Sequence, residues 1–147
     1  MEFRKPDFTY KILKVAKEIS PGHESPRVID GDTVDIMIDV GFYTILRKRV
    51  RMLEIDTDEL RGGTIETKDR AKAAKLRLIE LLAPGDLYIQ TKMDATGKYG
   101  RILGTFFVEL EDGTIINVNQ TLVDEGFQKG DENTSTVIEW IKKLVSK

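Results

Sequence analysis

The chain changes its hydrophobic period several times, and each change predicts an element. From residue 8 to 19 apolar positions recur roughly every second residue (Phe8, Tyr10, Ile12, then Leu13 and Val15), which predicts a first strand. Ser20 to Pro26 holds two prolines and a glycine, which forbid a ladder and predict a loop. The cleanest alternation runs from Thr33 to Val40, with Val34, Ile36 and Ile38 on one face and Asp35, Met37 and Asp39 on the other. That is a half-buried strand. A turn at Gly41 leads into a longer strand, Tyr43 to Leu53, whose apolar positions change phase between Ile45 and Val50. A bulge or sharp bend is the simplest repair. Residues 66 to 82 switch to helical spacing, with Ala71, Ala74, Leu78, Leu81 and Leu82 on one stripe, and Pro84-Gly85 stops the helix. Strands follow at Leu87 to Lys92 and Arg101 to Leu110, and Asp112-Gly113 turns tightly into Thr114 to Val118. A short helix is predicted from about Asn119 to Glu125, ending at Gly126. A last one starts at about Thr134, with Val137, Ile138, Ile141, Leu144 and Val145 on one face.

This order predicts an α+β chain: a five-stranded, partly open barrel of the OB type with about three helices. No repeat, low-complexity tract or long linker divides it, so one domain is expected over residues 1–147. An apolar content of 40% is enough for one packed core.

Composition narrows the chemistry. Lys and Arg number 23 against 25 Asp and Glu, a net charge of -2, which argues against holding nucleic acid by bulk charge but not against an enzyme with a locally basic site. The absence of cysteine excludes disulfide scaffolds, zinc fingers, thiol catalysis and iron–sulfur clusters. A single histidine, His23, excludes His-based triads and multi-His metal centres. Any metal would be held by oxygen, which favours Ca²⁺, Mg²⁺ or Mn²⁺. No apolar run approaches the roughly 18 residues that span a bilayer, and Met1 to Asp7 has no signal-peptide h-region. A cytoplasmic protein without a membrane partner is expected, in the host cytoplasm if the gene is viral.

Two acidic clusters stand next to the best strands. Asp30-Gly31-Asp32-Thr33 reads as a turn opening a strand, or as a ligand group. Asp56-Thr57-Asp58-Glu59 reads as the acidic flank of the following helix, or as a second ligand group. Arg51 lies five residues before Asp56, and Arg101 closes the glycine-flanked run Thr96 to Arg101. Both also read as surface strand residues, and Arg47, Lys48 and Arg49 read as a solvated face. Together, carboxylates for a hard cation, a spare carboxylate for water and two guanidiniums for phosphate are the parts of a phosphodiesterase. Spacing alone leaves open whether they converge.

In combination, Val28-Ile29-Asp30-Gly31-Asp32-Thr33-Val34, Val50-Arg51-Met52-Leu53-Glu54-Ile55-Asp56-Thr57-Asp58-Glu59 and Lys98-Tyr99-Gly100-Arg101 resemble the staphylococcal (thermonuclease-type) nuclease family, in the same order and with the helix between the second and third. The resemblance covers about Phe8 to Lys129. Asp39-Val40-Gly41-Phe42 is similar to bacteriophage-encoded members. The resemblance implies an OB barrel with three helices and a Ca²⁺-dependent endonuclease, acting on DNA and RNA to leave 3′-phosphorylated ends. It places metal ligands on Asp32, Asp56 and the backbone oxygen of Thr57. It places the residue acting on the nucleophilic water on Glu59, the catalytic phosphate-binding arginines on Arg51 and Arg101, and a terminal-phosphate site on Lys98 and Tyr99. A monomer is expected, with DNA or RNA as its substrate and no membrane partner.

Three departures stand out. Asp58 replaces the proline usual before the glutamate, which predicts a looser loop and an added carboxylate that alters metal preference. The loop from Ser20 to Arg27 is longer than the family pattern. The segment after Gly126 lacks the aromatics that stack on a substrate base, so base affinity or preference is expected to differ. A reading of another class is an OB-fold module that grips nucleic acid or protein without cutting, for which the acidic stretch from Glu109 to Glu132 offers a partner surface.

Overall fold

A computed structural model describes residues 8–93, 102–131 and 133–145. Its strands are β1 (Thr9–Leu13), β2 (Arg27–Asp30), β3 (Thr33–Asp39), β4 (Ile45–Met52), β5 (Asp86–Met93), β6 (Ile102–Glu109) and β7 (Ile115–Asn117). Its helices are α1 (Ile65–Leu82), α2 (Val118–Asp124) and α3 (Ser135–Val145). The sheet runs β1-β5-β6-β4-β3-β2, and β1 also pairs with β3, so five strands close on themselves. β2 and β7 extend the barrel outside that ring, and β4 lies parallel to β6. The α+β class and the OB-type barrel with three helices are therefore observed.

The clean alternation of β3 makes the barrel interior. Val34, Ile36 and Ile38 are buried and meet Val50, Met52, Ile89, Phe106 and Val108 from neighbouring strands. Burying side chains of this size stabilises by about 1.5–3 kcal/mol each, before chain entropy is counted. α1 lies over the barrel on its alanine stripe, with Ala71, Ala73, Ala74 and Leu78 buried, because small side chains let the helix approach closely. Thr64 caps it by accepting from the Thr67 amide, and Thr67 reciprocates. α3 packs on α1. There Trp140 carries Lys143 Nζ 4.1 Å above its ring, and Arg77 forks onto Glu125 at 2.7 Å. Glu125 holds the Arg77 guanidinium's pKa above its ordinary value.

Three local expectations are corrected. The first strand ends at Leu13, not residue 19: Val15 makes an isolated bridge to Ser25, and the chain then turns back with Ile19 and Ser20 donating to the Ala16 carbonyl. Lys14 draws it away from the sheet by donating to Ala83 O and Gly85 O beyond the end of α1. Strand β2, which the sequence pattern does not predict, begins at Arg27 directly after the predicted Ser20–Pro26 loop and pairs with β3. β4 carries no bulge, since it pairs with β3 without a shift from Thr33↔Arg51 to Asp39↔Ile45. Leu46, Lys48, Val50 and Met52 share one face, and Ile45 stands on the other, 57% exposed. The register shift falls instead between Val28 and Asp30 of β2.

Candidate active site

The pairing of Thr33 with Arg51 is what assembles the site. It sets the first acidic turn beside the end of β4 and the loop that follows. Asp32 is buried and oriented by three groups: Thr33 Oγ1 donates to its Oδ1 at 2.9 Å, the Thr57 amide to its Oδ2 at 3.0 Å, and Arg51 Nη1 lies 3.3 Å from Oδ2. Arg51 also gives Nη2 to Asp56 Oδ1 at 3.0 Å and Nη1 to the Met52 and Ile55 carbonyls at 3.1 and 2.8 Å. One guanidinium thus holds both carboxylates and the chain between them. Arg forks match carboxylate geometry, so the cluster is preorganised.

The loop after β4 is anchored from outside. Asp56 N–H donates to Gln128 Oε1 at 3.0 Å, and Lys129 N–H donates to the Asp56 carbonyl at 2.6 Å. Asn119 is buried: its Oδ1 accepts from Phe106 N–H, and its amide group donates to Leu53 O and Gly104 O. Gly31 lies against α1, and a Cβ there would sit 2.7 Å from Ala74 Cβ and 2.8 Å from Thr57 Oγ1. Gly31→Ala is therefore expected to cost about 1–3 kcal/mol by overpacking, read as a lower denaturant midpoint at unchanged slope.

Asp58 takes a different role from the one its sequence position suggests. It is buried, and its Oδ2 pairs with Arg70 Nε at 3.0 Å. Arg70 also donates to Gly126 O at 3.3 Å, to Gln128 O at 3.2 Å and to Asn133 Oδ1. The extra carboxylate is thus neutralised on the protein side of the loop. The looseness expected from losing proline is countered by an ion pair. Glu59, the next residue, is exposed.

An open depression of about 380 Å³ lies over the cluster, lined by Arg51, Leu53, Asp56, Leu103 and Gln128 among others. No aromatic side chain among the described residues lines it. Arg101, Lys98 and Tyr99 fall outside the described residues. Among the described residues no three His, Cys, Asp or Glu side chains gather closely enough to hold a metal by themselves. What the site offers is a pair of carboxylates, Asp32 and Asp56, with the intervening backbone. Beside them Thr57 Oγ1 is buried without a hydrogen-bond partner. This all-oxygen set with room for water fits a hard cation and no soft one.

The family model described as "Staphylococcal nuclease homologue" matches residues 49–142, more than half of the chain. The chain belongs to the staphylococcal nuclease family. Protein ParB of Escherichia coli is 33% identical to it over 107 residues, covering 70% of this chain and 53% of that protein. Micrococcal nuclease of Shigella flexneri is 29% identical over 107 residues, covering 70% and 54%. The chain spans about half the length of these relatives. Arg51, Asp56, Thr57 and Glu59 lie inside the family match, whereas Asp32 precedes it and joins the cluster through the β3–β4 register. Sequence reasoning missed the supporting residues of this staphylococcal nuclease homologue. Arg70, Asn119 and Gln128 sit at positions where polar residues ordinarily face water, and only the unusual Asp58 signals that a cation stands nearby.

Proposed function

We propose that this chain is a metal-dependent nuclease that cleaves the P–O5′ bond of DNA and RNA and leaves 3′-phosphates, acting as a single domain over residues 1–147. The observation that carries the reading is the Arg51 guanidinium holding Asp32 and Asp56 together at the base of the loop that bears Glu59. In this reading Asp32, Asp56 and the Thr57 carbonyl would hold Ca²⁺, with Mg²⁺ or Mn²⁺ as substitutes. A cation held by these residues would offset phosphate charge. Arg51 and Arg101 bind the non-bridging oxygens as charge builds on them. Glu59 orients the attacking water or takes its proton, and the 5′-oxygen leaves. Lys98 and Tyr99 hold the terminal phosphate. Because no aromatic among the described residues lines the depression, base preference in this reading is weak. No helix among the described residues is long and apolar enough to cross a membrane, and we propose a cytoplasmic monomer.

The test is plasmid and single-stranded DNA incubated with Ca²⁺, Mg²⁺, Mn²⁺ or EDTA, with the product ends assayed for 3′-phosphate. Cutting in Ca²⁺ that stops with EDTA and leaves 3′-phosphates is expected. Cutting in Mg²⁺ or Mn²⁺ alone overturns the Ca²⁺ assignment. Binding without any product, from a folded chain, makes it a gripping module instead.

A further inference from the structure

The β3–β4 hairpin ends in an unusual way. Gly41, Phe42 and Tyr43 have φ of 87°, 53° and 59°, three consecutive left-handed residues of which two are aromatic. Bulky side chains adopt that region rarely and at a cost, and such outliers concentrate where function requires them. Here the strained residues are also fully exposed, Phe42 at 99% and Tyr43 at 107%. The turn is braced from beneath by Thr44 N–H donating to Gly41 O and by Gly41 N–H donating to Asp39 Oδ1. The rings are therefore displayed by a fixed turn.

Val40 and Leu46, on either side of this turn, lie at the open end of the barrel and line an apolar recess of about 500 Å³ with Phe8, Tyr10 and Ile102; Lys48 and Lys92 are its charged lining residues among those described. Phe8 is 69% exposed and also left-handed, with φ 67°. Neither lysine has a carboxylate within ion-pair distance among the described residues. Asp39, at the foot of the turn, accepts from the Gly41 amide at its Oδ1. Lys48 lies on the same strand as Arg51 but on its opposite face, as Ile102 of the recess does to Leu103 of the depression, so the two surfaces meet across the sheet. From Ile45 to Arg51 the strand covers about 20 Å, a span of several nucleotides.

We propose that this end of the barrel is a second nucleic-acid contact, a stacking platform for single strands. Phe42, Tyr43 and Phe8 take unpaired bases, and Lys48 and Lys92 take the phosphates between them. Aromatic faces interleaved with cations grip single strands without reading sequence. The two described lysines of the recess fit a polyanion and oppose an acidic protein face. The platform supplies an aromatic contact that the described lining of the depression near Arg51 does not. It rests on nucleic acid being the substrate.

The test is fluorescence anisotropy with a labelled (dT)₁₅ oligonucleotide in EDTA, so that nothing is cut. The variants are Phe42→Asn/Tyr43→Asn, which keeps residues suited to positive φ, and Lys48→Gln. The double variant is expected to melt no earlier than the parent and to bind at least about ten-fold more weakly, from the loss of two stacked bases. Lys48→Gln is expected to lower the slope of log affinity against log salt by about 0.7. Unchanged affinity in the double variant with an unchanged slope in Lys48→Gln overturns the platform. A loss of binding to phosphatidylserine–phosphatidylcholine vesicles with oligonucleotide binding intact overturns it in favour of a membrane contact. If the parent grips (dT)₁₅ and the double variant does not, while the parent cuts nothing in Ca²⁺, the platform stands and the nuclease reading falls.

Discussion

Glu59→Gln is expected to hydrolyse single-stranded DNA about 10²- to 10⁴-fold more slowly than the parent chain, with kcat carrying the loss and KM nearly unchanged. The side chain stands exposed on the loop whose preceding residues, Asp56 to Asp58, are pinned by Gln128, Asp32 and Arg70. Its amide isostere keeps size and polarity and removes the charge that orients or deprotonates water. Because no described hydrogen bond of the fold depends on that carboxylate, the melting temperature is expected to stay where it is. Single-turnover cleavage beside a thermal melt reads both quantities. Cleavage at the parent's rate would falsify the role given to Glu59.

Arg70→Ala is expected to be the most damaging single change away from the depression. The Asp58 and Arg70 side chains are 7% and 11% exposed, and truncating the arginine leaves a buried carboxylate without its partner. Breaking a buried pair from one side costs about 3–5 kcal/mol. For a chain of this size that lowers the melting temperature by about 6–20 °C. The carbonyls of Gly126 and Gln128 lose their donor as well, so the anchor on Asp56 loosens and turnover falls with stability. Asp58→Pro/Arg70→Leu removes both charges and restores a stiff residue before Glu59. It is expected to recover most of the lost stability, because an apolar replacement of a buried pair is often neutral or better. Chemical unfolding of the two variants decides the matter. Equal losses in both would show that the pair is not what holds the loop.

The elements most legible in the sequence were those with one face wholly buried. Val34, Ile36 and Ile38 alternate because each points into the barrel, and the stripe of α1 is regular because Ala71, Ala74, Leu78, Leu81 and Leu82 are all buried. β2 was illegible: four residues directly after Pro26, none of them fully buried, have no room to show a period. The phase change in β4 was visible but misread, since an apolar residue at a strand's exposed start looks the same in sequence as one displaced by a bulge. For the site, the motifs named Asp32, Arg51, Asp56 and Thr57, and the β3–β4 register brings these four together. The residues that fix the loop carry no such mark. Arg70 sits among the polar positions of a helix, and Gln128 in a segment without periodicity. Whether a polar side chain is solvated or buried is decided by what the rest of the chain brings to it.

The clasp on Asp56 also sets an order in time. Both carboxylates, Arg51 and Glu59 leave the ribosome together, but Gln128, whose side chain holds the Asp56 amide, is 72 residues further on. The Gly126 and Gln128 carbonyls that steady Arg70 arrive equally late. Until then the acidic loop has only its own contacts through Arg51 and Asp32. A protein whose proposed substrates include RNA thus completes the anchoring of its acidic loop only once Gln128 has been made.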